Sequence, residues 1–304
     1  MRRAHFWKEI KMEKKHKAVI GYIVLVFVLM PIASFFPLET ATLYLQVALI
    51  VMGITAIVLQ KWVHRGRFVD MGFRLNRDAL AGLGVGLVYT IVMLALGYGL
   101  PLGLNLIEVT ANKGSSMLDQ EGSLTSAGLT SLAVSGSLMF VLALFTEELA
   151  WRGYILPKLE NFLGGLKAVI VSAVLFGLWH IPVYYSIYAG GAEEQGWLAV
   201  VRSAMLGSGL AVVPLCVLYL TTRELYGVSL SHALFDLFAY HIVGQSALGE
   251  MAKDALYSVR VLNESAFQTL EWILPVLGIP IMLALCALAK RFVGPRSLRP
   301  RDLA

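Results

Sequence analysis

The sequence describes a polytopic all-α transmembrane helix bundle of about eight helices with both termini cytoplasmic. Of its 304 residues, 58% are hydrophobic and 15% charged, against about 25% charged in an ordinary soluble domain. The mean hydropathy is +0.71. Apolar stretches recur at the length that crosses a bilayer, about 20 residues each, and the loops between them alternate between rich and poor in Lys and Arg.

The stretches fall near 18–36, 41–60, 79–104, 128–149, 166–188, 198–220, 226–246 and 269–289. The first follows a basic segment, as a secretory signal would. Its length and the lack of an Ala-x-Ala cleavage site predict a retained helix instead. Neither end carries a lipidation signal, from Met1-Arg2 to Asp302-Leu303-Ala304.

Loop charge orients the bundle. One side holds Arg2, Arg3, Lys8, Lys11, Lys14, Lys15 and Lys17, then Lys61, Arg65, Arg67, Arg74 and Arg77. The same side continues with Arg152, Lys158, Lys167 and Arg223, and ends with Lys290, Arg291, Arg296, Arg299 and Arg301. The other side has only Lys113, Lys253 and Arg260, with Arg202 just inside a helix. The basic side is therefore cytoplasmic. The net charge of +5 fits contact with anionic lipid headgroups, and no nucleic-acid partner is expected.

No repeat or soluble appendage interrupts the chain, so 1–304 forms a single integral membrane domain. Its parts are a basic N-terminus over 1–17, a core over 128–246 and a basic tail over 290–304. Cys216 and Cys286 lie in apolar stretches and read as packing residues. The outer loops near 105–127 and 247–268 contain Gly, Ser, Asp and Glu, suited to covering the outer face.

Ionisable residues inside the stretches are few: Glu147, Glu148, His180, Arg202, His232, Asp236 and His241. A charged side chain near a bilayer centre costs roughly 2.5–3.5 kcal/mol on insertion scales, which marks such residues as functional candidates. Glu148 precedes Arg152 by four residues, the spacing of a same-face ion pair. Glu147 is rotated about 100° from Glu148 and lacks that partner. Around the turn Asn161-Phe162-Leu163-Gly164-Gly165, Glu147 and His180 lie at nearly equal heights, about 21–22 Å from it. His232 and Asp236 share one helix face in the cytoplasmic half. Pro182 leaves the Leu178 carbonyl without its helical donor and is expected to kink the fifth helix.

Not every polar residue belongs to this cluster. His241 reads as packing, Arg202 as snorkelling to the outer interface, Glu193 and Glu194 as solvated loop charges, and His64 as lipid-facing. Glu148 and Arg152 fit a structural role as well as a catalytic one.

The motifs Glu147-Glu148-Leu149-Ala150-Trp151-Arg152, Phe176-Gly177-Leu178-Trp179-His180 and His232-Ala233-Leu234-Phe235-Asp236 resemble the signatures of the CPBP (Abi) intramembrane proteases. That group contains the type II CAAX prenyl endopeptidases. The resemblance covers about 128–246 and implies an intramembrane endopeptidase acting on a membrane-associated or lipidated peptide, within the lipid bilayer. It implies that Glu147 and His180 activate water, that His232 and Asp236 bind the scissile carbonyl, and that Glu148 and Arg152 support them.

The last motif position departs from the more familiar Asn. An ionised Asp236 cannot donate to an oxyanion, so it is either protonated or orients His232. Zinc is the alternative cofactor, since Glu147, His180, His232 and Asp236 offer acceptable ligands. A metal-free mechanism with no cofactor is favoured. Rival functions are a proton- or ion-coupled transporter, or a catalytically idle peptide-binding immunity protein. The membrane would be the plasma membrane in a prokaryote and the endoplasmic reticulum in a eukaryote.

Overall fold

A computed structural model describes residues 2–32, 38–189, 196–244 and 254–293, with side chains over 13–32, 44–185, 196–243 and 254–291. The expectations for Arg2, Arg3, Lys8, Lys11, Glu193, Glu194, Lys253, Arg296, Arg299 and Arg301 fall outside those side chains.

Among the described residues eight long helical segments follow one another. They are α1 (Arg2–Ile32), α2 (Leu38–Val58), α3 (Arg77–Gly103), α4 (Ser126–Leu163), α5 (Gly165–Ala189), α6 (Gly196–Thr222), α7 (Tyr226–Leu237) and α8 (Glu264–Val293). Among the described residues seven are long and apolar enough to cross a membrane, and α7 is the exception. A π turn over Phe238–Ile242 extends α7. Helix plus turn then rises about 25 Å, short of the roughly 30 Å hydrocarbon core. The expected helix to residue 246 ends early because Val243 turns extended and begins a strand.

Helix α7 avoids lipid by packing between α3 and α4. Its contact with α3 is backbone on backbone. A Cβ at Gly227 would lie 2.1 Å from the Gly82 carbonyl oxygen, and one at Gly86 would lie 2.2 Å from that of Gly227. Close small-residue crossings of this kind associate membrane helices where the hydrophobic effect cannot. Thr90 and Ser231 hydroxyls, 2.8 Å apart, add a buried hydrogen bond between the two helices.

The outer loops are tied into a small sheet. Strand β1 (Ile107–Ala111) pairs antiparallel with β3 (Tyr257–Val261), and β2 (Val243–Gly244) pairs parallel with β3. The order β1-β3-β2 puts the end of α3 and both ends of the α7–α8 connection on one face. Arg260 pairs with Glu108 across it. The Asp254 carboxylate takes the Ser116 N–H and hydroxyl at 2.7 Å each, and these bonds hold it below the usual carboxylate range.

The opposite, basic face is bound together by ion pairs between loops. Arg223 meets Glu160 through two bonds of 2.6 and 2.7 Å. Arg74 donates its backbone N–H to Glu224 at 2.9 Å and its guanidinium to Asp70 at 2.5 Å. Connections after α2, α4 and α6 therefore share one face, the alternation expected of eight traversals. Glu224 is only 2% exposed, and its burial pushes the carboxyl up to about 7 against the pull of Arg74.

One reading on this face changes. His64 is not lipid-facing: its Nε2 lies 2.9 Å from the Tyr154 hydroxyl. Burial, with the charges of Lys158 and Lys15, holds its imidazole down at about 4. The stretch from Leu149 to Ile155 is wholly buried. Trp151, Tyr154 and Trp179 are among the largest fully buried side chains, and Trp179 Nε1 donates to the Val26 carbonyl of α1 at 3.1 Å. Cys216 and Cys286 are buried free thiols.

Candidate active site

The site is built on an interruption of α4. The regular α-helix ends at Phe145, Thr146 adopts φ −119° and ψ −85°, and a π segment follows from Leu149 to Ile155. Thr146 is β-branched and returns its hydroxyl to the Leu142 carbonyl at 2.5 Å, a local bond that competes with the ladder. Helix α2 approaches this break closely because residue 53 is glycine: a Cβ there would lie 2.1 Å from the Phe145 carbonyl oxygen. Glu147 and Glu148 sit between the break and the π segment. Isolated π turns concentrate at functional sites.

Glu148 joins more than the fold. Its Oε1 accepts from Arg152 Nη1 at 3.1 Å and from His232 Nδ1 at 2.6 Å. Glu148 and Arg152 side chains are 0% and 1% exposed, so the pair is screened little by solvent. The Arg152 guanidinium also lies 4.6 Å over the Phe176 ring, a cation–π contact that puts the second motif beneath the first.

His232 continues the chain of contacts. Its Nε2 lies 3.5 Å from Asp236 Oδ2. Both ring nitrogens thus face carboxylate oxygens, an arrangement met in full by a ring carrying both N–H groups. Asp236 faces His232, as expected of a residue that orients the imidazole.

His180 is fixed from its own helix. Its Nδ1 lies 2.9 Å from the Phe176 carbonyl oxygen, so Nδ1 carries the proton and Nε2 keeps a lone pair. The Phe176 and Trp179 rings flank it at 4.4 and 4.8 Å. Gly177 lets α5 and α6 close up, since a Cβ there would lie 3.1 Å from Gly209 Cα. The structure does not bond Glu147 to His180. Glu147 instead lies in the field of His232, Asp236, Glu148 and Arg152, and its Oε2 is buried with no protein hydrogen-bond partner.

The donor set does not converge as a zinc site. Among the described residues no three His, Cys, Asp or Glu side chains gather at metal-binding geometry. His232 directs both nitrogens at carboxylates, and His180 has only Nε2 to offer.

Sequence reasoning missed the link between Glu148 and His232. The acid was assigned to Arg152 by spacing, and helical spacing carries no information about a bond to another helix. Arg202 is half-buried near the outer end, in the field of Glu271 on α8.

Residues 129–238 match the family model described as type II CAAX prenyl endopeptidase Rce1-like. This segment is similar to that family. It contains all three motifs and runs from α4 through α7. No curated protein and no solved structure matches the chain.

Proposed function

We propose that the chain is an intramembrane endopeptidase that hydrolyses a peptide bond with water activated by Glu147 and His180. The observation that carries the reading is the meeting of three motifs from α4, α5 and α7 within an Rce1-like segment. In this scheme Glu147 uses its unpartnered oxygen to take a proton from water, and His180 Nε2 holds the same water. Glu148 and Asp236 fix His232 from its two sides, and Arg152 fixes Glu148.

The substrate class we propose is a lipidated peptide of the CAAX type. An apolar cavity of about 210 Å³ lies between α2 and α4, lined by Ile50, Ile54, Val141, Leu142, Phe145 and Thr146. It ends at the residue before Glu147 and suits a hydrocarbon chain entering from the bilayer. The test is cleavage of a farnesylated CAAX peptide and its unprenylated twin by purified protein in proteoliposomes. Wild type releases the C-terminal tripeptide from the farnesylated form, whereas Glu147→Ala and His180→Ala release none. Cleavage by either variant at the wild-type rate removes the residue assignment.

A further inference from the structure

His180 and Asp236 are each followed four residues later by a tyrosine, Tyr184 on α5 and Tyr240 on the π turn after α7. Four residues make about one turn, so each tyrosine stands about one turn beyond its site residue, nearer the outer surface. Both are half-buried. The Tyr240 hydroxyl lies within electrostatic reach of Asp236, Tyr184 and Glu147. Tyr240 therefore stands at the site, within reach of both carboxylates and of Tyr184.

Helix α6 shapes itself to one of them. A Cβ at Gly207 would lie 2.6 Å from the Tyr184 hydroxyl oxygen, so the glycine leaves the space that oxygen needs. Tyr240 belongs to a π turn bordering the site, Phe238–Ile242. A π turn shifts the register of side chains that follow it, and such turns recur where a side chain is re-aimed for function.

We infer that the Tyr240 hydroxyl is the donor to the scissile carbonyl oxygen and that Tyr184 positions it. This inference rests on the endopeptidase reading. A carboxylate at residue 236 accepts hydrogen bonds and gives none, and Asp236 is directed at His232. The donor role that an Asn would fill at residue 236 passes one turn along the helix.

The step balances without a further reactant. The water oxygen bonds to the carbonyl carbon while Glu147 takes a water proton, and the C=O π pair moves onto the carbonyl oxygen. Tyr240 hydrogen-bonds that oxyanion and keeps its proton. On collapse the C–N bond breaks, and the proton on Glu147 passes to the leaving nitrogen.

The test measures kcat and KM on a farnesylated CAAX peptide in proteoliposomes. Tyr240→Phe keeps the ring and removes the donor, so kcat falls about 10²–10³-fold, as for loss of one oxyanion donor, and KM stays near wild type. Adding Asp236→Asn to Tyr240→Phe restores a donor amide and recovers part of the lost kcat. Tyr240→Phe with kcat within about twofold of wild type overturns the inference, and so does a double variant without recovery. Glu147→Ala separates the two readings. If it cleaves as wild type, the endopeptidase scheme fails; if it is inert while Tyr240→Phe is fully active, only the tyrosine assignment fails.

Discussion

Glu148→Gln removes one charge from a side chain that two others depend on. The Glu148 and Arg152 side chains are 0% and 1% exposed and joined at 3.1 Å, so the change leaves a guanidinium buried without its counter-charge. Breaking one partner of such a pair costs about 3–5 kcal/mol. Arg152 Nε and Nη2 already lack protein hydrogen-bond partners, so the guanidinium is under-satisfied before the change. The cation–π contact with Phe176 retains a part, about 0.5–2 kcal/mol. The expected destabilisation is therefore about 1–4.5 kcal/mol. It is read by unfolding in mixed micelles titrated with denaturing detergent.

Arg152→Met alone should cost a similar amount, because it leaves a buried carboxylate. The double variant should cost less than the sum, since no orphan charge remains. Activity should separate from stability in that double variant. His232 still loses the charged acceptor at its Nδ1, now 2.6 Å away, and keeps at most a neutral amide oxygen there, so a refolded double variant should remain impaired. Strictly additive losses, or a double variant with wild-type cleavage, would refute the view of Glu148 as a link between fold and site.

Gly227→Ala places a methyl group 2.1 Å from the Gly82 carbonyl oxygen, so α3 and α7 must part. Overpacking costs about 1–3 kcal/mol, and cleavage should fall with KM and kcat both altered as His232 and Asp236 move with the helix. Glu224→Gln tests the basic face through pH. Its folded carboxyl titrates near 7, above the ordinary value of 4.5, so its stabilising contribution is full below pH 4.5 and is lost as pH rises through 7. The variant should gain thermal stability over wild type at pH 8 and not at pH 4; an equal difference at both contradicts the assignment. Exhaustive chelation should leave cleavage unchanged, with no stoichiometric zinc in the purified protein. Zinc-dependent recovery of lost activity would restore the metal scheme.

The helix ladder was legible because length, hydropathy and loop charge are local signals, and each of the eight stretches corresponds to a helix. The turn at Gly164 was legible too: its φ of 78° suits glycine. Glu148 with Arg152, and His232 with Asp236, were readable because four-residue spacing fixes a helix face. What escaped reading depends on contacts between distant segments. The bond from Glu148 to His232 needs α7 packed against α4 while its close crossing with α3, at Gly82, Gly86 and Gly227, holds it in place. The break at Thr146 needs α2 against it through Gly53. The outer sheet joins strands about 150 residues apart, as Ile107 opposite Val261 shows, and no periodicity within either loop encodes such a pairing. His64 was misread because a basic loop hides the Tyr154 hydroxyl that its imidazole meets.

The central claim is direct attack by a water that Glu147 deprotonates. Its most direct measurement is single-turnover cleavage of a farnesylated CAAX peptide in ¹⁸O-water, with the new carboxylate weighed by mass spectrometry. The account predicts one ¹⁸O atom in the product of the first turnover by wild type and no product from Glu147→Ala. A first-turnover product carrying only ¹⁶O, or labelled product from Glu147→Ala at the wild-type rate, would contradict it.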